Sequence, residues 1–359
     1  MSSSPLVLTV LLFASLTWLV VLAPRSSSPP ATATPSPPVV GDGVGGGGED
    51  GDLALFRRAT LDGGEGAAAM AVAEPKVAFL FLTNSELTFA PLWERFFEGH
   101  GERLNVYVHA DPAARLMMPP TRSFKGRFVA AGPTKRADAT LIAAARRLLA
   151  AALVDDAANA YFALLSQHCI PVHSFRHLHA TLFPPPAAAA AAARRQRRLP
   201  SYIEVLDGEP QMASRYAARG EGAMLPEVPF DRFRVGSQFF TLARRHAALV
   251  VGERRLWDKF RQPCLDQNAC YPEEHYFPTL LDMADPAGVA RYTLTHVNWA
   301  GSVHGHPHTY TAAEVSAELV ADLRRPKKNT THDYMFARKF SPDCLAPLMD
   351  IADAILFND

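Results

Sequence analysis

Apolar runs that end in polar residues organise the chain between residues 76 and 166. Lys76–Thr83 is a continuous apolar run with polar residues at its end, which is typical of a buried parallel strand. Leu104–Asp111 and Ala160–Ser166 have the same character, and helical spacing over Leu87–Glu98 and Ala137–Ala152 separates the three runs. This order predicts an α/β fold with right-handed crossovers and a mostly parallel central sheet. Ligands are expected beyond the carboxyl ends of its strands.

The pattern continues more weakly towards the carboxyl terminus. It predicts a strand at Ser237–Leu242, a helix over His246–Phe260, a helix that begins at Pro272 and a final helix over Pro342–Phe357. Residues 184–198 form a low-complexity insertion with a proline run, an alanine run and a basic cluster. A solvated loop is the simpler interpretation of that cluster, and contact with nucleic acid or lipid is the alternative.

The amino-terminal region predicts a membrane anchor followed by a stem. Pro5–Pro24 contains no charged residue in 20 positions, which is long enough to cross a bilayer core, whereas a cleaved signal peptide is the alternative. We predict a tail at residues 1–4, a signal-anchor at 5–24, a flexible stem at 25–74 and the catalytic domain at 75–359. Because Arg25 follows the span and no basic residue precedes it, the flanking charges do not predict a lumenal domain.

Composition excludes several classes of protein. Basic and acidic residues are equal in number, 36 each, so bulk attraction to nucleic acid is not expected. Four cysteines without a C-x-x-C pair do not indicate a zinc site or a disulfide scaffold, although Cys264 and Cys270 are near enough in sequence to close a short disulfide loop. The one D-x-D sequence, Asp50–Asp52, lies in the glycine-rich stem, where a metal site is not expected.

Two pairs of charged residues remain as candidates for chemistry, because dinucleotide-binding, Walker, zincin and serine-hydrolase motifs are absent from the sequence. Glu273 and Glu274 fall in the first turn of a predicted helix, where they either complement the helix dipole or supply a general base. Arg338 and Lys339, bracketed by aromatic residues, form either a solvated basic turn or a site that neutralises a pyrophosphate leaving group.

An ordered set of short motifs resembles one family of enzymes. The motifs are Val77–Thr83, Ala90–Phe97, Val106–His109, Leu164–Pro171, Gly236–Phe240, Glu274–Pro278 and Phe336–Pro342. Together they resemble the plant branch of the core-2/I-branching β-1,6-N-acetylglucosaminyltransferases, the group that includes brittle-culm-type proteins. The resemblance extends over residues 76–356.

The resemblance implies a single-pass type II Golgi membrane protein with a GT-A-type fold and a lumenal catalytic domain. It implies an inverting transfer from a UDP-sugar to a glycan or glycoprotein, without a metal or another cofactor. By position, Glu274 matches the catalytic base, while Lys339 and Arg338 match the residues that contact the diphosphate. Asp111 matches an acidic residue that binds the uridine. Trp299 and Glu273, which is adjacent to the predicted base, are assigned to binding of the acceptor.

Some positions depart from that family pattern. Val235 stands where a lysine is usual, Thr134–Thr140 lacks the expected tryptophan, and an expected cysteine is missing near Asn329, which instead begins an N-glycosylation sequon. Two alternatives therefore stay open. The chain could use another donor, such as UDP-glucuronate or UDP-xylose, or it could be an inactive Golgi protein that binds glycans or scaffolds other transferases. Homo- or hetero-oligomers with such transferases are a further expectation.

Overall fold

The computed structural model describes residues 49–69, 74–184, 199–302, 305–325 and 332–359. The predicted tail at residues 1–4, the span Pro5–Pro24, nearly all of the insertion at 184–198 and the sequon residue Asn329 lie outside those ranges. Within the described ranges, no helix has both the length and the apolar character that crossing a bilayer requires.

Short strands and helices alternate along the described chain. The strands are β1 (Lys76–Thr83), β2 (Leu104–Ala110), β3 (Asn159–Ser166), β4 (Ile170–Pro171), β5 (Thr241–Ala243), β6 (Thr295–Val297) and β7 (Phe336–Arg338). The α-helices are α1 (Glu49–Ala69), α2 (Ala90–Phe97), α3 (Ala139–Asp155), α4 (Phe175–Leu182), α5 (Met212–Ala217), α6 (Arg244–Gly252), α7 (Arg255–Phe260), α8 (Pro272–Ala284), α9 (Ala317–Arg324) and α10 (Leu345–Asp350).

The central sheet has four strands in the order β2-β1-β3-β5. β1 is parallel to both β2 and β3, whereas β5 runs antiparallel to β3. The predicted α/β fold with a mostly parallel sheet is therefore confirmed. Every residue of β1 after Lys76 is buried, because helices and loops cover both faces of the sheet.

Alternate residues of β1 enter two apolar cores. Phe79 and Phe81 pack with Trp93 of α2 in one core, and Ala78 and Leu80 pack with α3 in the other. The Trp93 indole N–H also donates a hydrogen bond to the Cys169 carbonyl at 3.2 Å. Each large apolar side chain buried in this way contributes about 1.5–3 kcal/mol, so these layers fix the position of the strand ends.

A second sheet of three strands, in the order β4-β7-β6, lies outside the sequence prediction. β6 and β7 are parallel, and β4 is antiparallel to β7. Strands of two or three residues are too short to show an alternation of apolar and polar positions. This small sheet matters for function because β7 ends at Arg338.

Three predicted elements in the carboxyl-terminal half are wrong in extent. The strand predicted at Ser237–Leu242 is limited to β5, which begins at Thr241. The helix predicted over His246–Phe260 is two helices, α6 and α7, and the Glu253 side chain between them accepts hydrogen bonds from the backbone N–H groups of Leu256 and Trp257. The final predicted helix divides into a 3₁₀ turn, α10 and a π-helical turn at Ala352–Leu356.

The prediction of a flexible stem through residue 74 is wrong for Glu49–Ala69, which forms α1. Ala59 is fully buried, and the Arg146 guanidinium lies 5.0 Å from the Phe56 ring centroid. Asp52 of the D-x-D sequence accepts from Arg147 at 2.6 Å. Composition suggested disorder, but a few apolar side chains packed against α3 and α6 are enough to hold this helix on the domain.

Candidate active site

The two adjacent glutamates occupy the first turn of α8 and have different surroundings. Tyr271, in the left-handed region at φ 38°, precedes the helix. The Glu274 side chain is about a third exposed, and its Oε2 accepts a hydrogen bond from the Arg215 guanidinium at 2.9 Å. Arg215 also lies 5.1 Å from the Tyr271 ring centroid. Glu274 is therefore accessible and held by a cation, and its role as general base stays a prediction.

Glu273, in contrast, is buried beneath the loop that follows β2. Its Oε1 accepts a hydrogen bond from the Ala137 backbone N–H at 3.0 Å, and its Oε2 has no hydrogen-bond partner within the described chain. Burial raises the pKa of Glu273 to about 7, although backbone hydrogen bonds oppose the shift. The structure thus places Glu273 under the loop rather than in open contact with solvent, and its predicted role in acceptor binding stays a prediction.

The titration of Glu273 gives a prediction about stability. Its pKa is near 7 in the folded protein, against 4.5 ordinarily, so the folded state binds more protons between those pH values. Stability should therefore fall as pH rises from about 4.5 to about 7 and level off above that range. Glu273→Gln keeps an oxygen that can accept the hydrogen bond from the Ala137 N–H, but it cannot titrate. The variant should therefore lose this decrease of stability with pH, which urea unfolding at several pH values measures. An unchanged slope in the variant contradicts the assignment.

The cation pair lies at the end of β7 and in the residue that follows it. The Arg338 guanidinium lies 4.2 Å from the Phe239 ring centroid, and its Nε has no hydrogen-bond partner among the described residues. Burial lowers the pKa of Arg338, while the Cys169 thiol and the Glu274 carboxylate oppose that shift. Burial, Arg338 and Arg136 all lower the pKa of Lys339. The pair is thus partly buried rather than a fully solvated turn, and Arg338 is the member whose pKa the Glu274 carboxylate acts to raise.

The Gly236–Phe240 segment joins the glutamates to the cations. The Gly236 backbone N–H donates to the Glu274 carbonyl at 2.9 Å, and Phe239 supports Arg338. A Cβ atom at Gly236 would lie 1.9 Å from the carbonyl oxygen of Glu204, so only glycine fits this close approach. The motif therefore has a structural task, which is to fix the distance between α8 and β7.

This close approach predicts a strong effect of Gly236→Ala. The added methyl group would force the backbones of Gly236 and Glu204 apart, and overpacking of this kind costs about 1–3 kcal/mol. We expect a lower midpoint in urea unfolding together with reduced sugar transfer in the fraction that folds. Gly208→Ala is the matched control, because no atom lies within 4 Å of the added Cβ there. Equal stability of the two variants would contradict the prediction.

Arg136 and Arg215 escaped sequence analysis, whereas His168 follows the predicted strand Ala160–Ser166, at the sheet edge where ligands are expected. The Arg136 guanidinium donates to the Gly305 carbonyl at 2.9 Å and lies 2.8 Å from His306 Nε2. His168 Nδ1 lies 3.2 Å from the Phe340 carbonyl, and burial, with Lys339 nearby, lowers its pKa to about 4. The two isolated arginines lie in separate segments and give no signal in sequence, because only the folded chain brings them near the glutamates.

Asp111 and Trp299 occupy different settings. Asp111 follows β2 and is buried, with Oδ1 accepting from the Ala113 N–H at 2.8 Å and Oδ2 from the Thr134 N–H and hydroxyl, each at 2.6 Å. Burial acts to raise the pKa of Asp111, but these hydrogen bonds outweigh it and lower the pKa overall. Trp299 is half exposed in the loop after β6. Uridine binding by Asp111 and acceptor binding by Trp299 stay predictions.

The positions that depart from the family pattern have structural roles here. Val235 is buried and pairs with Leu206 through two backbone hydrogen bonds. Arg234, next to it, is bound to Asp282 at 2.7 Å. Neither residue supplies the cation that a lysine at position 235 would provide.

Arg136, in the stretch where a tryptophan is expected, instead adds a cation close to Arg338 and Lys339.

Cys264 and Cys270 form a disulfide that closes a short loop directly before Tyr271. Cys169 and Cys344 are free and buried. Among the described residues, one group has the spacing of metal ligands: His173, His177 and Asp359, whose ligand atoms lie within 4.8 Å of one another. Glu273 and Glu274 are not part of it, and the expectation of a metal-free reaction stays a prediction.

The mixed α/β fold, with its mostly parallel central sheet, fits a glycosyltransferase domain. The sequence model of the family described as Core-2/I-Branching enzyme matches residues 77–324. The chain therefore belongs to this family and is a glycosyltransferase. It is also 26% identical over 325 residues to Glycosyltransferase BC10 of Oryza sativa subsp. japonica, with 77% of this chain and 76% of that protein covered. Glu274 lies within the family match, whereas Arg338 and Lys339 follow it.

Proposed function

We propose that this chain is an inverting, metal-independent transferase of the GT-A type. It moves a sugar, N-acetylglucosamine in β-1,6 linkage, from a UDP-sugar to a glycan or glycoprotein acceptor. The observation that carries this proposal is the partly exposed Glu274, bound to Arg215 at 2.9 Å and electrostatically coupled to Arg338. Family membership and the plant relative support the class of reaction.

The proposed reaction is a single displacement. Glu274 removes the proton of the acceptor hydroxyl while the hydroxyl oxygen attacks the anomeric carbon. The bond between that carbon and the diphosphate oxygen breaks, and UDP leaves with the electron pair. Arg338 and Lys339 neutralise the charge that develops on the diphosphate, which is the task that a divalent cation performs in other transferases. Arg215 holds the Glu274 carboxylate in position for the proton transfer.

The proposed location is the Golgi membrane, with the domain in the lumen and residues 5–24 as the anchor. The Cys264–Cys270 disulfide supports an oxidising compartment, since such bonds are rare in the cytosol. The plant glycosyltransferase relative fits an enzyme of the secretory pathway. Assembly with other transferases stays a prediction.

Release of UDP by the full-length protein tests the proposed function. We would supply UDP-N-acetylglucosamine, UDP-glucuronate or UDP-xylose together with a panel of glycan acceptors, with EDTA or with Mn²⁺. Acceptor-dependent release of UDP that continues in EDTA is expected. A strict requirement for Mn²⁺ would contradict the metal-independent mechanism, and the absence of release with every donor would favour an inactive glycan-binding protein.

A further inference from the structure

A cleft of about 330 Å³ opens beside the amino-terminal end of α8, between the loop at residues 135–138 and the disulfide loop. We call it the basic cleft. Its polar and aromatic lining comes from Lys135, Arg136, Asp138, Gln267, Asn268 and Tyr271. None of these residues is required by the transfer step proposed above, so the cleft needs an explanation of its own.

The charge of the basic cleft favours an anionic group. Lys135 and Arg136 are exposed cations on one wall. Asp138 is the one carboxylate of the lining, and its Oδ1 accepts from the Thr140 backbone N–H at 2.9 Å as the cap of α3. Its charge is thereby directed at the positive end of the helix dipole, which leaves the two cations available to a ligand.

The basic cleft also has the features that recognise a sugar ring. Tyr271 contributes an aromatic ring to the lining, and the Gln267 and Asn268 amides provide donors and acceptors. Arg136 is held in place because it donates to Gly305 and contacts His306. An arginine carries five N–H donors, so these two contacts leave capacity for a planar carboxylate.

Tyr271 connects the basic cleft to the catalytic carboxylate. The Arg136 guanidinium lies 5.9 Å from the Tyr271 ring centroid, and the Arg215 guanidinium lies 5.1 Å from it. Arg215 in turn holds Glu274, and the Glu274 backbone N–H donates to the Tyr271 carbonyl at 3.0 Å. A sugar bound in the basic cleft would therefore lie close to the first turn of α8, which carries Glu274.

We propose that the basic cleft is an acceptor subsite that binds the carboxylate of a uronic acid residue. Arg136 and Lys135 bind the carboxylate, the Gln267 and Asn268 amides bind ring hydroxyls, and another hydroxyl of the same glycan reaches Glu274. The inference rests on the proposed function for the role of Glu274, and it adds a class of acceptor, an acidic glycan, to the transfer reaction. A guanidinium beside an ammonium suits a planar carboxylate because the guanidinium can form two parallel hydrogen bonds.

Direct binding tests the subsite without requiring turnover. The probes are an oligogalacturonide and a glucuronate-bearing oligosaccharide, each compared with its own methyl ester, which has the same backbone without the charge. Calorimetry with the full-length protein should give a Kd about tenfold lower for at least one acid than for its ester, as expected for a charge-assisted contact in a partly open site. Equal Kd values for acid and ester, or no binding of either acid, overturn the proposal.

Substitutions locate the effect in the basic cleft. Lys135→Gln combined with Arg136→Gln should bring the ratio of acid to ester affinity close to one, whereas Arg254→Gln with Arg255→Gln should leave the ratio unchanged. Arg255 is the first residue of α7 and Arg254 precedes it, and both are exposed cations outside the lining of the basic cleft. Because the ratio compares acid and ester on the same variant, a loss of affinity that affects both ligands equally cancels. Arg136→Lys, which keeps the charge, should retain part of the preference, and a full loss there would contradict recognition by charge.

The donor is the other source of a uronate carboxylate. If the double substitution weakens binding of UDP-glucuronate relative to UDP-N-acetylglucosamine and leaves the oligosaccharide ratio intact, the cleft is a donor site and the acceptor assignment is overturned. Failure of the proposed function has a different signature, because an acid preference in binding would persist while no donor supports UDP release.

Discussion

Glu274→Gln should reduce kcat for sugar transfer by about 10²-fold or more, the usual order for the loss of a general base. The amide cannot accept the proton of the acceptor hydroxyl, but it keeps the shape of the side chain and an oxygen for Arg215. Binding of UDP should therefore change little, and the loss should appear in kcat rather than in the inhibition constant of UDP. Steady-state UDP release with a saturating acceptor measures both quantities.

The matched control for this substitution is Glu318→Gln. Glu318 is an exposed glutamate in the first turn of α9, so it has the same relation to a helix dipole as Glu274. The control separates loss of a base from loss of a helix-capping charge, which is worth about 0.3–1 kcal/mol. Unchanged kcat in Glu274→Gln would mean that another group removes the proton or that the protein acts without catalysis.

Lys339→Gln should lower kcat/KM for the donor by roughly 10²-fold, because removal of one preorganised donor to a developing negative charge has an effect of this order. Unlike the change at Glu274, this one should also weaken UDP binding, since the diphosphate is already charged before transfer. Lys339 is partly buried and beside Arg338, so a diphosphate there meets two cations at once. Kinetics with varied donor and competition by UDP measure the two effects.

Lys125→Gln, which alters an exposed lysine in the loop after β2, is the control for a general loss of positive charge. Thermal unfolding of Lys125→Gln should match that of the unaltered protein, because surface substitutions usually change stability by about 0.5 kcal/mol or less. If Lys339→Gln binds UDP as well as the unaltered protein does, the cation pair does not serve the diphosphate and the metal-free mechanism loses its support.

The two predictions differ in how much of their basis was visible in the sequence. Glu274 stood out because it follows Pro272 in a helix-start pattern, and its neighbours matched a family motif. The difference between Glu273 and Glu274 was not visible, because the two residues are adjacent and chemically identical. Only the fold decides that one is buried under Ala137 while the other meets Arg215.

The cation pair illustrates a different limit. Basic residues bracketed by aromatics predict a solvated turn as readily as a binding site, and β7 is too short to be recognised by periodicity. The structure shows that the pair is partly buried, with Phe239 beside Arg338 and Arg136 close enough to lower the pKa of both cations, and binding of the diphosphate stays a prediction.

The sequence by itself determined the α/β class and the parallel core of the sheet, because long apolar runs and helical spacing depend on residues near one another in the chain. It also determined the family, through the order of short motifs. Tertiary structure alone decided the length of the short strands, the docking of α1, the different surroundings of the two glutamates and the approach of Arg136 and Arg215 to them. The physical reason is that burial and charge pairing depend on which distant segments meet, and a linear pattern does not record such contacts.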